Sequence, residues 1–414
     1  MLPPTATRRA RLRDLLGLRR SIVGLLAMVV LVGLGERLAE RFLPLYLMAL
    51  GGGALSVGLL NGLDNFLSAI YSFFGGAIAD RLGVKRSLLL FDLLAMAGYL
   101  VVIVVPRWEA VLLGAVLFLS WSALSLPATM SLISRSLPVT QRVMGVSVHS
   151  LTRRIPMALG PVLGGLAIDA FGVERGVRIA FGGALALAVV AAVVQTRLID
   201  TDPVAVEHLG GRGRLGDPRG LWLRLPGSLK RLLVADILVR FCEQIPYAFV
   251  VLWCMRAIAD PVSATQFGVL TTVEMATALL VYLPVAWFAD RAQKKPFVVT
   301  TFVFFTLFPL VLLACRSFWP LVGAFVLRGL KEFGEPTRKA LILELAPEDR
   351  KAATFGLYYL LRDLIVSIAA FSGAALWAVS PTANLLTATA CGALGTAWFA
   401  WAGRRSYLDA EPGA

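Results

Sequence analysis

Apolar residues run through this chain in long blocks separated by short polar and charged stretches. Reading the blocks in order gives twelve, at roughly 21–49, 55–79, 87–106, 110–134, 144–171, 177–198, 231–255, 266–289, 297–315, 319–345, 352–379 and 383–402. A helix crosses the hydrocarbon core with about 20 apolar residues, so each block is a candidate span. Backbone groups in lipid must bond within the segment, which predicts helices. The short alternating segments of a barrel are absent. The first block is too long for a signal-peptide core and no small-residue cleavage site follows it, so no cleavable signal is expected.

The pattern predicts an all-α integral membrane protein, with twelve transmembrane helices in two pseudo-symmetric six-helix halves. The division expected is 1–199, a linker over 200–229, and 230–414. The linker carries Gly210-Gly211-Arg212-Gly213-Arg214 and Gly216-Asp217-Pro218, the composition of an exposed flexible connection. Leu221-Trp222-Leu223, between Arg219 and Arg224, reads equally as an interfacial segment or as the lead-in to the seventh span.

The halves share landmarks in one order. Gly76-Ala77-Ile78-Ala79-Asp80-Arg81 after the second block is echoed by Ala286-Trp287-Phe288-Ala289-Asp290-Arg291 after the eighth. Sixteen residues before each aspartate, inside an apolar block, stand Asp64 and Glu274. Arg37-x-x-Glu40 is answered by Arg240-x-x-Glu243. An internal duplication in a membrane chain points to a transporter, with a site near the bilayer midplane.

Composition supports a membrane protein: 58% of residues are hydrophobic and the mean hydropathy is +0.77. The net charge of +14 changes the picture only through its placement. Arginines and lysines crowd the N-terminal stretch, the linker, the short loops after even-numbered blocks and the C-terminal end, while the other loops hold few. This positive-inside pattern predicts cytoplasmic termini and linker in a multi-pass plasma (inner) membrane protein. A basic inner face also suits anionic lipid. No basic aromatic module stands apart from the spans, so no nucleic-acid partner is expected.

Cys242, Cys254, Cys315 and Cys391 lie in or at apolar blocks without metal-ligand spacing and read as buried hydrophobes. Of the two histidines, His208 lies in the linker and reads as solvated; His149, early in the fifth block, reads as a packed polar residue. No cofactor and no metal is expected. A Gly-Lys-Ser/Thr phosphate loop is missing, so ATP is not the direct energy source. An enzyme would want a nucleophile–base set or a metal cluster. A receptor would want a soluble output domain.

Gly76-xxx-Asp80-Arg81-x-Gly83-x-Lys85-Arg86 resembles the signature loop of the major facilitator superfamily, and the sequence around Asp290 resembles its weaker second copy. In that copy Ala286 replaces the leading glycine and Gln293 the inner one. Gly160-Pro161-x-x-Gly164-Gly165 resembles the fifth-span motif of the drug/proton antiporter branch, with Pro156 where that motif begins with glycine. The resemblance covers essentially the whole chain. It implies a conformational latch formed by Gly76, Asp80, Arg81, Gly83, Arg86, Asp290 and Arg291. Plain topology explains Lys85, Lys294 and Lys295 better. Gly160, Gly164 and Gly165 would admit a close helix neighbour and Pro161 a bend.

Charge inside the blocks is the remaining clue. A charged side chain near a helix centre costs roughly 2.5–3.5 kcal/mol by insertion scales, so such groups pair or face water. Arg37 with Glu40, and Arg240 with Glu243, share a helix face. Lys331 with Glu335, and Glu335 with Lys339, are four apart on the tenth block. Asp64 and Glu274 have no base nearby in sequence, and a lone buried carboxylate favours its protonated form and suits proton coupling. The alternative is an arginine from another helix, such as Arg153. The substrate and coupling set expected is Arg37, Glu40, Asp64, Arg153, Arg240, Glu243, Glu274, Glu335 and Arg362. The function expected is secondary active transport by alternating access in a monomer, as proton-coupled efflux of amphipathic compounds. Alternatives are an organic anion or lysolipid-like substrate, or a membrane sensor without transport.

Overall fold

The computed structural model describes residues 20–119, 121, 125, 129, 132, 139–199, 225–289, 293–347 and 351–406; nearly all are helical and none is in a strand. They belong to two compact units, one drawn from Met1–Gly51 and Leu67–His208, the other from Gly52–Phe66 and Leu209–Ala414.

All twelve apolar blocks are helical where described. In the first six these are Arg20–Glu40 with Leu43–Ala49, Gly53–Leu82, Val84–Val104, Trp108–Phe118, Val139–Phe171 and Val173–Leu198. The fourth span continues past Phe118 with Trp121, Ser125, Thr129 and Leu132, helical and buried at the spacing of one helix face. The last six are Gly227–Tyr247 with Val250–Leu252 and a π turn Trp253–Ala257, then Ala264–Ala289, Lys294–Ala314, Phe318–Leu330 with Glu335–Leu345, Lys351–Val379 and Pro381–Ser406. Among the described residues six helices are long and apolar enough to cross a membrane on length and composition alone. They become seven when the two pieces of the seventh span, bent by 46°, count as one.

The first, seventh and tenth spans are broken, each beside a proline. Pro44 opens Leu43–Ala49, Pro246 precedes the break at Ala248 and Phe249, and Pro336 sits in the first turn of Glu335–Leu345. Proline lacks an N–H and crowds the preceding turn, yet suits a helix start, where that donor has no partner. Gly83 turns the chain between the second and third spans with φ +80°, which an L side chain rarely adopts.

In the first unit Tyr99, Phe118 and Phe181 form a ring cluster with centroids 5.4–5.7 Å apart. A Cβ at Gly160 would stand 2.5 Å from Arg37 Cβ, and Gly164 presses on the Leu38 carbonyl. Gly165 and Pro161 are buried in the same helix. In the second unit Gly373 of the eleventh span presses in the same way on the Ile245 carbonyl of the seventh. Its core gathers Leu229, Leu232, Val239, Val298, Phe302 and Ile342 from the seventh, ninth and tenth spans. The start of the second span packs here: Gly58 rests on Ala374, Gly62 on the Phe371 ring, and Asn61 Nδ2 donates to the Gln244 carbonyl at 3.2 Å.

Candidate functional site

The second unit concentrates charge. Glu274 of the eighth span forms ion pairs with both Arg328 Nε and Lys331 Nζ at 3.3 Å. Lys331 also reaches Glu243 at 2.9 Å, and Glu243 holds Arg240 at 2.6 Å. Arg240 bonds Glu335 at 2.9 Å; Glu335 binds Arg338 at 2.7 Å; Arg338 is in short contact with Asp236. Asp236 further takes the Tyr358 hydroxyl at 3.1 Å and Arg362 at 3.6 Å, and Arg362 ends on Asp363 at 2.7 Å. The result is a ribbon of five cations alternating with five carboxylates, drawn from four spans. Each buried charge has an opposite neighbour, which offsets desolvation in a way that an isolated charge cannot.

The break in the tenth span builds this ribbon. Lys331 caps Phe318–Leu330, while Glu335 opens the next helix, where the helix dipole favours a carboxylate. Gly334 N donates to Thr301 Oγ1 at 2.5 Å, and a Cβ at Gly334 would stand 2.5 Å from the Phe297 carbonyl. The four-residue pairs expected from continuous helix, Lys331 with Glu335 and Glu335 with Lys339, are therefore replaced. Lys331 turns to Glu243 and Glu274, and Glu335 to Arg338 and Arg240.

A small cleft opens beside the ribbon, lined by Glu243, Arg328 and Lys331 together with Phe304, Phe305 and Phe308. Arg328 is 4% exposed and lies over the rings of Phe308, Phe325 and Tyr247 at 5.1–5.7 Å. Charge and aromatic face thus share one wall.

The first unit holds a second small cavity, lined by Glu36, Arg37, Trp121, Arg153 and Pro156 among others. Arg37 pairs with Glu40 at 2.6 Å. Behind it the Trp121 indole donates to Asp92 Oδ1 at 2.6 Å.

Two expectations are corrected. Glu274 is no lone carboxylate: it is 1% exposed and held by two cations of the tenth span, so the matched acids are not alike, since Asp64 is only partly buried. The Arg-x-x-Glu repeats form their pairs but do not occupy equivalent places. Arg37 stands five residues before Phe42 at the break in its span, and Arg240 nine before Phe249, one helical turn farther. Counted from the breaks, Glu36 corresponds to Glu243. Counted from the pressed glycines, Arg153 and Arg362 correspond, each eleven residues before Gly164 or Gly373.

Asp290 and Arg291 lie outside the described residues, as do the side chains of Gly76 and Asp80. Arg81 and Arg86 are exposed, and Lys85 Nζ donates to the Thr196 carbonyl at 2.9 Å. Sequence reasoning left Asp236, Arg328, Lys331, Arg338, Glu36 and Asp92 out of the site. Asp236 stands four residues before Arg240, a spacing that offered a signal; the Arg328–Glu274 pairing offered none.

The chain is similar to solved transporters, at identities that show the fold alone. The nucleoside transporter NupG is 15% identical with a TM-score of 0.76, covering 93% of this chain and 99% of that one. A POT family transporter in complex with 5-aminolevulinic acid is 13% identical with a TM-score of 0.75, covering 95% and 97%. A bacterial homolog of the human lysosomal transporter Spinster is 14% identical with a TM-score of 0.67, covering 99% and 100%. No curated protein matches the sequence significantly. The model of the Major Facilitator Superfamily matches residues 25–258 and again 232–412. A helical chain with paired ion-lined cavities, matched by one transporter family along nearly its whole length, belongs to the Major Facilitator Superfamily.

Proposed function

We propose that this secondary transporter exports small amphipathic compounds across the plasma membrane in exchange for protons, by alternating access, as a monomer with both termini in the cytoplasm. The observation that carries the reading is the cleft where three phenylalanines meet Glu243, Arg328 and Lys331. A ligand with an apolar body and a charged group has a partner there for each part. The ribbon supplies the means of release. A cationic ligand group can take the place of Lys331 on Glu243 while Lys331 keeps Glu274, and the return of Lys331 displaces the ligand, so binding and release exchange pairs without stranding a charge.

In this reading Asp64 is a coupling carboxylate, Glu274 a ribbon member, and Arg37, Glu40 and Arg153 shape the first unit's cavity. Asp80 and Arg81, with Asp290 and Arg291, latch the cytoplasmic side. Asp80→Asn is then expected to lower transport while folded protein still reaches the membrane.

A second reading, an organic anion or lysolipid-like substrate, is favoured by two cations against one carboxylate in that cavity lining. A solved POT family neighbour is in complex with 5-aminolevulinic acid.

Proteoliposomes with an imposed pH gradient test the reading. Ethidium is expected to accumulate against its gradient, and Phe308→Ala to lower its uptake severalfold. Accumulation of 5-aminolevulinic acid or a lysophospholipid instead of ethidium would move the assignment to the second reading.

A further inference from the structure

The first unit contains a buried acid that the proposed cycle does not use. Asp92, on the third span, is 0% exposed. Its Oδ1 accepts the Trp121 indole N–H at 2.6 Å, and its Oδ2 is buried without a hydrogen-bond partner among the described residues. No described cation pairs with it. An ionised carboxylate in that position would leave a buried charge with a single neutral donor, which a low-dielectric interior disfavours. The neutral acid removes that charge and keeps the indole bond. Trp121 in turn lines the first unit's cavity. The described ionisable groups nearby are Glu36, Arg37 and Glu40 on the first span, Arg153 on the fifth and Tyr99 on the third, whose buried hydroxyl likewise has no partner among the described residues. The sixth span, also packed on the third, presents Phe181, Ala184 and Ala188 as buried apolar residues.

We propose that Asp92 is a proton-binding site of this transporter, holding a proton on its buried carboxyl and exchanging it with the adjoining cavity past the Trp121 indole. The step is a proton transfer alone: the carboxyl O–H breaks, the proton leaves through the cavity, and the carboxylate is held for the moment by the indole N–H. A cation brought to the cavity wall beside Trp121 would favour the ionised form, and its loss would favour reprotonation. The inference deepens the proton-coupled reading of the function and rests on it.

Two measurements test it separately. Infrared difference spectra of the purified protein between neutral and alkaline pH are expected to show loss of a protonated-carboxyl C=O band. Asp92→Asn, which keeps size and the indole acceptor, is expected to lack that band. Trp121→Phe removes the donor that steadies the carboxylate and is expected to move the loss of the band to higher pH. A band unchanged by Asp92→Asn overturns the proposal. In vesicles with an imposed pH gradient, Asp92→Asn is expected to lose ethidium accumulation at least tenfold while ethidium exchange without a gradient persists; wild-type accumulation in this variant also overturns it. If the unsubstituted protein does not accumulate ethidium under a gradient, the proton-coupled reading of function fails, and the infrared spectra still decide whether Asp92 carries the proton.

Discussion

In the second unit ten charged side chains from four spans share charge along a single line, whereas in the first unit the described charges Glu36, Arg37 and Arg153 line one cavity. The helices that carry them are laid down alike. In each unit a glycine on a late span presses on the carbonyl of a broken early span, Gly164 on Leu38 and Gly373 on Ile245, and an arginine stands eleven residues before it. The difference lies in what surrounds that arginine. Arg362 finds Asp236 and Asp363, while Arg153 lines an open space with Glu36 and Arg37. A duplicated backbone therefore carries two kinds of polar interior. One is neutralised pair by pair. The other keeps a buried acid, Asp92, held by an indole alone among the described groups.

The comparison breaks most severely at Arg338. Arg338→Met removes the fully buried cation shared by Asp236 and Glu335, leaving Glu335 to Arg240 and Asp236 to the Tyr358 hydroxyl and the more distant Arg362, and is expected to cost about 3–5 kcal/mol, read as a large fall in melting temperature and folded yield. Adding Asp236→Asn should recover part of that loss, because the carboxylate left with the weakest compensation is then neutral. A double variant no better than the single would mean that Arg338 acts by packing rather than by charge.

A milder change is expected at Lys331. Glu243 and Glu274 keep Arg240 and Arg328 after Lys331→Gln, so stability should fall by only roughly 1.5–3 kcal/mol, while ethidium transport should fall much further. Parallel loss of both would make Lys331 a structural residue.

Backbone likeness is sharpened by Gly164→Ala and Gly373→Ala. Each new methyl group meets a carbonyl of the broken span, and each should cost about 1–3 kcal/mol in thermal unfolding. Unequal losses would show that one unit yields where the other does not. The smallest effect is expected at Arg107, whose pair with Glu109 at 3.2 Å is largely exposed. Arg107→Gln should change stability by less than about 1 kcal/mol, and that little should vanish in high salt.

Much of this architecture was legible in the chain. Twelve apolar blocks, two halves and the i, i+3 pairs of Arg37 with Glu40 and Arg240 with Glu243 follow from periodicity and from the cost of charge in lipid. The partners across spans were not legible. Glu274 looked alone because its cations lie more than fifty residues away, and the tenth span looked continuous because Gly334 and Pro336 are common in membrane helices. The Arg-x-x-Glu repeat misled for a related reason: it matches in sequence but is displaced by one turn when measured from the breaks.

The sequence by itself determined that this chain enters a membrane as helices, how many apolar segments it has and that they repeat, because lipid excludes open backbone and unpaired charge whatever the packing. Only the tertiary structure decided which charges neutralise one another and which acid is left with an indole, because ion pairing acts over a few ångströms and depends on which faces the packed spans turn together.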